Sequence, residues 1–292
     1  MTSAESHLIP LYYYSGTGNT RLAAEAFRDA AQRQGREVVL QDLAAAEGAP
    51  KLGDLNTLFY PVYGFGSPRI VRRWARSLPA GNRRRFALIL TAAGGENPLN
   101  SGAPNVVVRA LRRRGYEVPY VRILTMGSNW LQRFPDDFTR QLAGLLPVKC
   151  DDILTSLLDG TERRPQGSPV LNAFMRSVAV QEDAVGSRLW GRMLKAGPDC
   201  NGCGLCERRC PMGNIRMNSD GRPRFGWSCQ WCMRCVYSCP TRALQPRFLP
   251  KAAVEGGYDL PAILASPDTG EPAADLAKKR EYFANYLSDP AA

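Results

Sequence analysis

Two cysteine runs carry the most specific chemistry in the chain. Cys200–Pro211 reads C-N-G-C-G-L-C-E-R-R-C-P, and Cys229–Pro240 reads C-Q-W-C-M-R-C-V-Y-S-C-P. Each copy is C-x2-C-x2-C-x3-C-P, the bacterial spacing for a pair of cubane iron–sulfur clusters. Three thiolates at i, i+3 and i+6 on a tight loop can wrap three corners of one cube, while the fourth cysteine lies beyond that reach. In this pattern it ligates the other cluster. Cys200, Cys203, Cys206 and Cys239 are therefore expected on one [4Fe–4S] cluster, and Cys229, Cys232, Cys235 and Cys210 on the second. Structural zinc also uses C-x2-C pairs, but it needs neither a third cysteine at regular spacing nor a repeat of the run with proline. A disulfide framework suits small secreted domains rather than a chain of 292 residues. Cys150, outside both runs, reads as a buried core residue, since free cysteine packs as a small hydrophobe.

The two copies are not chemically equal. Gly202 and Gly204 of the first align with Trp231 and Met233 of the second. The bulkier shell of the second copy is expected to exclude water and to separate the two cluster potentials, because solvent exposure and hydrogen bonding tune them. Pro211 to Ile215 and Pro240 to Leu244 share the same offset, which strengthens the internal duplication.

A second constellation lies near the start. Ser15-Gly16-Thr17-Gly18-Asn19-Thr20 follows an apolar and aromatic run at 8–14 and precedes helical spacing over 21–34. A hydroxyl- and glycine-rich turn at a helix N-terminus offers backbone N–H groups and a favourable dipole to a phosphate. A P-loop needs G-x4-G-K-[ST], and no lysine stands here. A dinucleotide fingerprint needs a third glycine where Arg21 stands. The bland alternative is a turn that only caps its helix, through Asn19 or Thr20.

The elements that must position these residues alternate. Strands are expected at 8–14, 37–43, 55–61, 86–91 and 118–126, with helices at 21–34, 69–78 and 103–114 and a last helix over 134–160 broken at Pro147. Such alternation gives a parallel sheet covered on both faces, with ligands bound outside the carboxyl ends of the strands. The turn at 15–20 resembles the FMN phosphate loop of flavodoxins, at the expected place after the first strand. The resemblance implies an α/β, flavodoxin-like, doubly wound parallel five-stranded sheet of order 2-1-3-4-5, followed by a small α+β two-cluster ferredoxin domain. It implies that FMN is held by Ser15, Gly16, Thr17, Gly18, Asn19 and Thr20 at its phosphate, with Pro61, Tyr63, Gly64 and Phe65 after the third strand. Thr91, Ala92, Gly94 and Gly95 after the fourth strand, and Asn129 and Trp130 after the fifth, complete the expected set. Tyr63 or Phe65 is the expected stacking partner, because the Trp and Tyr sandwich of small flavodoxins is missing from these loops.

The whole chain resembles bacterial and archaeal proteins in which a flavodoxin-like domain is fused to a two-cluster ferredoxin. The expected division is 1–160 for the FMN domain, 161–196 for a linker and connecting helix, 197–248 for the cluster domain and 249–292 for a tail with one helix. FMN accepts two electrons in single steps and cubane clusters carry one each, so the expected role is electron transfer to or from a partner oxidoreductase. A flavin-dependent reductase of a small quinone- or tetrapyrrole-like substrate, fed by its own clusters, is the alternative. His7 is the single histidine and receives no role.

The net charge is +11 and unevenly spread: residues 1–150 hold 20 Lys/Arg against 11 Asp/Glu, the remainder 18 against 16. This basic balance departs from the acidic surfaces of flavodoxins and ferredoxins. It favours a partner with an acidic docking face, a radical-generating iron–sulfur enzyme being one candidate, over nucleic acid. Reduced cysteines, no long apolar run and no secretory leader give the expectation of a cytoplasmic protein.

Overall fold

The computed structural model describes residues 8–46, 48–247, 253–254, 256–267 and 273–289. His7, Phe248 and the first residues of the expected tail lie outside them. The N-terminal half alternates strand and helix: β1 (Leu8–Tyr13), α1 (Asn19–Arg33), β2 (Glu37–Asp42), β3 (Leu55–Pro61), α2 (Arg69–Ser77), β4 (Arg85–Ala92), α3 (Asn105–Arg113) and β5 (Glu117–Thr125). The sheet order is β2-β1-β3-β4-β5, and every pairing within it is parallel. The parallel sheet is the one expected from the alternation, and its order is the one the resemblance to flavodoxins implies.

Burial explains the strand sequences. Leu11, Leu58, Phe59, Leu88, Ile89 and Ile123 are sealed from solvent, as strands covered on both faces require. One face packs α2 and α3 through Val71, Ala75, Val107 and Leu111. The other packs α1 and a later helix at Leu146–Leu158 through Phe27, Ala30, Ile153 and Leu154. β2 is an edge strand and is only half-buried.

Past the sheet, a short hairpin joins β6 (Asn129–Trp130) to β7 (Gln132–Arg133). The expected last helix is two: α4 (Asp136–Gly144) and α5 (Leu146–Leu158). The break falls at Leu145, and Pro147 opens α5 rather than ending α4. Proline fits the first turn of a helix because its missing N–H would have no intrahelical partner there. Cys150 is fully buried on α5, and burial pushes its thiol up to about 12.

The connector is not one continuous helix. α6 (Pro169–Gln181) runs into a π turn (Glu182–Gly186) and then α7 (Ser187–Met193). β8 (Leu194–Ala196) follows and pairs with β11 (Leu244–Pro246), so the last connector residues already belong to the cysteine-rich sheet work. Between these strands come α8 (Leu205–Arg208), the antiparallel pair β9 (Ile215–Met217) and β10 (Pro223–Phe225), and α9 (Arg234–Tyr237). The tail contributes α10 (Leu260–Ala265), α11 (Ala273–Tyr282) and α12 (Ala284–Ser288). It docks on the body: Phe283 and Tyr286 pack with Phe134 and Phe138, and Tyr258 and Leu260 with Ile263 beside the turn at 15–20. No described helix is long and apolar enough to cross a membrane.

Candidate redox site

Parallel strands bring the loops after β1, β3, β4 and β5 to one end of the sheet. A cavity of about 280 Å³ opens between them. Ser15, Gly16, Thr17, Asn19 and Thr20 line it from the first loop, Pro61, Tyr63, Gly64 and Phe65 from the second, Thr91 and Ala92 from the third, and Asn129 and Trp130 from β6. Those are thirteen of the sixteen residues expected at a flavin. Gly18 instead faces a neighbouring cavity and packs near Leu260. Gly94 and Gly95 fall outside the wall: their carbonyls are taken by Asn97 and Asn100, which fold the loop back on itself.

The turn at 15–20 is not a plain helix cap. Gly18, at φ +105, is the N-cap of α1, and no side chain caps that end. Asn19 and Thr20 point elsewhere. Asn19 Nδ2 donates to the Gly127 carbonyl at 2.8 Å, and its Oδ1 accepts from the Tyr258 hydroxyl at 2.6 Å. Thr20 shares a 2.6 Å hydroxyl contact with Thr91, and Asn129 donates to the Thr17 hydroxyl. The loop is thus shaped by three other segments, and its first turn of N–H groups is left for a ligand.

The cysteine loop of the second run forms part of the same cavity. Trp231 lines it, although the residue lies between Cys229 and Cys232. A Cβ on Gly16 would run into the Tyr63 hydroxyl and the Cys232 carbonyl, so only glycine allows the two loops to approach this closely. Three side chains lock the arrangement. Gln230 Nε2 donates to the Tyr14 hydroxyl at 2.8 Å and its Oε1 accepts from the Ile70 N–H at 3.2 Å. Arg234 donates to the Ser15 carbonyl and sits over the Tyr14 ring. Arg69 donates to the Cys229 carbonyl and to Ser187 Oγ, and pairs with Asp183 at 2.9 Å.

The thiols sort into two groups. Cys210, Cys229, Cys232 and Cys235 line one small void together with Trp190, Met233 and Val236. Burial pushes the Cys229 thiol up to about 12, with Cys232 and Cys210 adding to it, and pushes Cys235 well up with Cys232, Cys229 and Cys210 as the next contributors. Cys206 is raised by burial and by Cys200 and Cys203. Buried thiols favour the protonated form, so holding four thiolates in this void requires a compensating metal charge. Among the described residues no three metal-binding side chains converge as they would on a single ion. The four thiols surround a common space instead, which is the donor set of a cluster.

The duplication is visible in the backbone. Gly202 and Gly204 have φ +70 and +69, and their counterparts Trp231 and Met233 have φ +61 and +56. The left-handed region costs an L-residue about 1–2 kcal/mol. The second copy holds two large side chains there nonetheless. Met233 fills the core beside Trp190, and Trp231 faces Trp130 at 5.4 Å between ring centroids.

Reasoning from the sequence missed Met126, Leu131, Glu182 and Trp231 in the cavity wall, whereas Val62, Ala93, Gly127 and Ser128 lie in the loops expected to form it. Glu182 and Trp231 come from distant segments, and no local pattern announces them. Three buried polar atoms lack a protein partner in or beside the wall: Trp231 Nε1, Glu182 Oε2 and Thr125 Oγ1. Orphaned groups around an apolar, aromatic-lined cavity fit a flat ring system with a polar rim.

Residues 199–244 match the family model of a 4Fe-4S dicluster domain. The chain joins a flavodoxin-like sheet to a ferredoxin-type region. Among solved structures, a flavodoxin from the domain Archaea is 17% identical and covers 51% of this chain and 99% of its own, with a TM-score of 0.35. Oxidised flavodoxin 2 from Bacillus cereus is 16% identical, with coverage of 52% and 98% and a TM-score of 0.35. A Fusobacterium nucleatum flavodoxin mutant bound to flavin mononucleotide is 11% identical, with coverage of 52% and 96% and a TM-score of 0.38. No curated protein matches the chain.

Proposed function

We propose that the chain carries electrons one at a time between FMN and two [4Fe–4S] clusters. FMN would be held with its phosphate on the Ser15–Thr20 turn and its ring in the cavity between the three loops. One cluster would fill the void lined by Cys210, Cys229, Cys232 and Cys235, and the other would sit on Cys200, Cys203, Cys206 and Cys239. When bound, FMN supplies the exchange between two-electron and one-electron chemistry, and each cluster passes single electrons.

One observation carries this reading. The loop that bears Cys229 and Cys232 is itself a wall of the cavity, through Trp231 and through the approach of the Cys232 carbonyl to Gly16. A cluster on that loop would lie beside the cavity that would hold the flavin. Glu182 and Trp231 line the cavity from the connector and cluster side, with Trp130 of β6 beside them, which supports an electron carrier over a reductase with an open substrate pocket. The first run is the outward end of the path. Cys203 is exposed, as are Arg208, Arg209, Arg216 and Arg224 in the same region. Exposed arginines around an exit cluster suit an acidic docking face on a partner oxidoreductase, a radical-generating iron–sulfur enzyme being one that needs such electrons. Intact thiolate clusters suit a reducing compartment such as the cytoplasm.

The test is cofactor quantification on anaerobically purified protein. About eight irons per chain are expected, with one FMN. The double variant Thr17→Ala, Thr20→Ala should lose flavin and keep its iron. Flavin retained at parent affinity by that variant would refute the phosphate-turn assignment.

A further inference from the structure

Glu182 is a carboxyl that the electron path does not use and that the structure leaves without a partner. It opens the π turn between α6 and α7. Single π turns insert one residue into a helix and re-aim the side chains around it, and they recur at functional sites. Here the insertion sends Glu182 into the cavity and its neighbour Asp183 out of it. Asp183 takes both nearby cations, Arg69 at 2.9 Å and Arg72 at 2.6 Å. Glu182 Oε2 is buried with no hydrogen-bond partner, and it sits where a side chain on Gly64 would stand.

The groups packed around it explain why it stays unpaired. On the loop after β3, the Tyr63 hydroxyl is pushed well up by burial and lies toward Gly16. On α2, Arg69 and Arg72 are held by Asp183. On the cluster loop, the neighbour is the Trp231 indole, whose Nε1 is also without a partner. Arg109 of α3 and Arg176 of α6 line the adjoining cavity, which Glu182 also borders. Burial raises the Glu182 carboxyl above its usual range, and no neighbouring charge contributes to that shift. A buried carboxyl without a partner costs several kcal/mol unless a ligand completes it. Protonated, it offers one donor and one acceptor, which suits a ring rim that carries both.

We propose that Glu182 is the hydrogen-bond partner and proton donor of the flavin ring. This rests on the assignment of FMN to the cavity. For each electron arriving from the cluster that Cys210, Cys229, Cys232 and Cys235 would hold, the Glu182 O–H bond would break and its proton would go to the ring. The carboxylate left behind would take a replacement proton from the solvent. The connector thereby does two jobs, since the same π turn sets Asp183 to hold the cluster loop through Arg69 and Glu182 to hold the flavin.

The experiment uses the full chain with its clusters, prepared anaerobically, and the isosteric Glu182→Gln beside Glu182→Ala. Iron content and circular dichroism check that both fold. Flavin affinity is measured by fluorescence titration with FMN, and the flavin midpoint potential is followed from pH 5 to pH 9. Glu182→Ala should weaken FMN binding about tenfold, as loss of a hydrogen bond to a buried partner does. Glu182→Gln should keep affinity within about threefold, because the amide still donates and accepts. It should also abolish the inflection in potential against pH that the parent shows at the carboxyl's own pKa. FMN bound by both variants as tightly as by the parent, with the inflection unchanged, overturns the role of Glu182 alone. An iron-loaded parent that binds no FMN overturns the cavity assignment and this proposal with it.

Discussion

Trp231 offers a test in which the usual order of two substitutions is inverted. The residue sits at φ +61, half-buried between Trp130 and the flavin cavity. Truncating a fully buried Trp costs about 3–5 kcal/mol, and a half-buried ring loses about half of that, near 2 kcal/mol. Trp231→Ala should lose this and keep the left-handed strain. Trp231→Gly should lose the same contacts but recover about 1–2 kcal/mol of strain. The greater freedom of glycine in the unfolded chain takes back about 0.5–1 kcal/mol. Glycine should therefore be the more stable variant by about 0.5–1 kcal/mol, whereas glycine is the worse residue in ordinary helix or strand. Scanned anaerobically at one heating rate, both variants should melt below the parent. The glycine variant should melt about 1–3 °C above the alanine variant. Alanine equal to or better than glycine would refute the account of strain held for the sake of the ring. The same variants report on shielding. The gap between the two cluster potentials should narrow in Trp231→Gly as water reaches the second cluster, and an unchanged gap would show that the indole does not set it.

Cys210→Ser should remove the cluster shared with Cys229, Cys232 and Cys235, leaving about four irons of about eight and the same residual electron paramagnetic resonance signal as Cys232→Ser. Cys239→Ser should spare that cluster and lose the other, and a matching signal from all three variants would break the interlocked assignment. Lys149 is sealed in the core, donates to the Asp289 carbonyl at 2.8 Å and lies over the Tyr286 ring at 3.8 Å. Burial lowers it to about 8 from an ordinary 10.5, so the unfolded chain binds its proton more tightly than the folded one. Stability should then rise with pH between about 8 and 10.5. Lys149→Met, which has no proton to lose, should flatten that rise in denaturant midpoints measured across the range.

The alternation of strands and helices and the two cysteine runs were legible because each is a local pattern, while the strand order followed from the resemblance to flavodoxins. Alternating buried strands and helices admit few parallel topologies, and C-x2-C-x2-C-x3-C brings three thiols together within one loop whatever surrounds it. Pro147 misled because proline both ends helices and opens them, and only the position of Leu145 decides between the two. Tyr63 and Phe65 line the cavity from a loop near the sheet in sequence, and Trp231 joins them from a segment more than a hundred residues beyond. Gly16 reads from sequence as part of an anion turn, and its contact with the Cys232 carbonyl exists only once the cluster loop is docked.

Local composition thus determined the two cysteine runs and the hydroxyl-rich turn. Tertiary packing decided how they face one another. A thiol run or a phosphate turn works through neighbours a few residues away, so its chemistry is written where it stands. The contact between the two sites depends on Gln230 meeting Tyr14, Arg69 meeting Cys229, and a single inserted residue in the connector that turns Glu182 and Asp183 to opposite sides. Those pairings join segments far apart in the chain, and only the folded backbone brings them together.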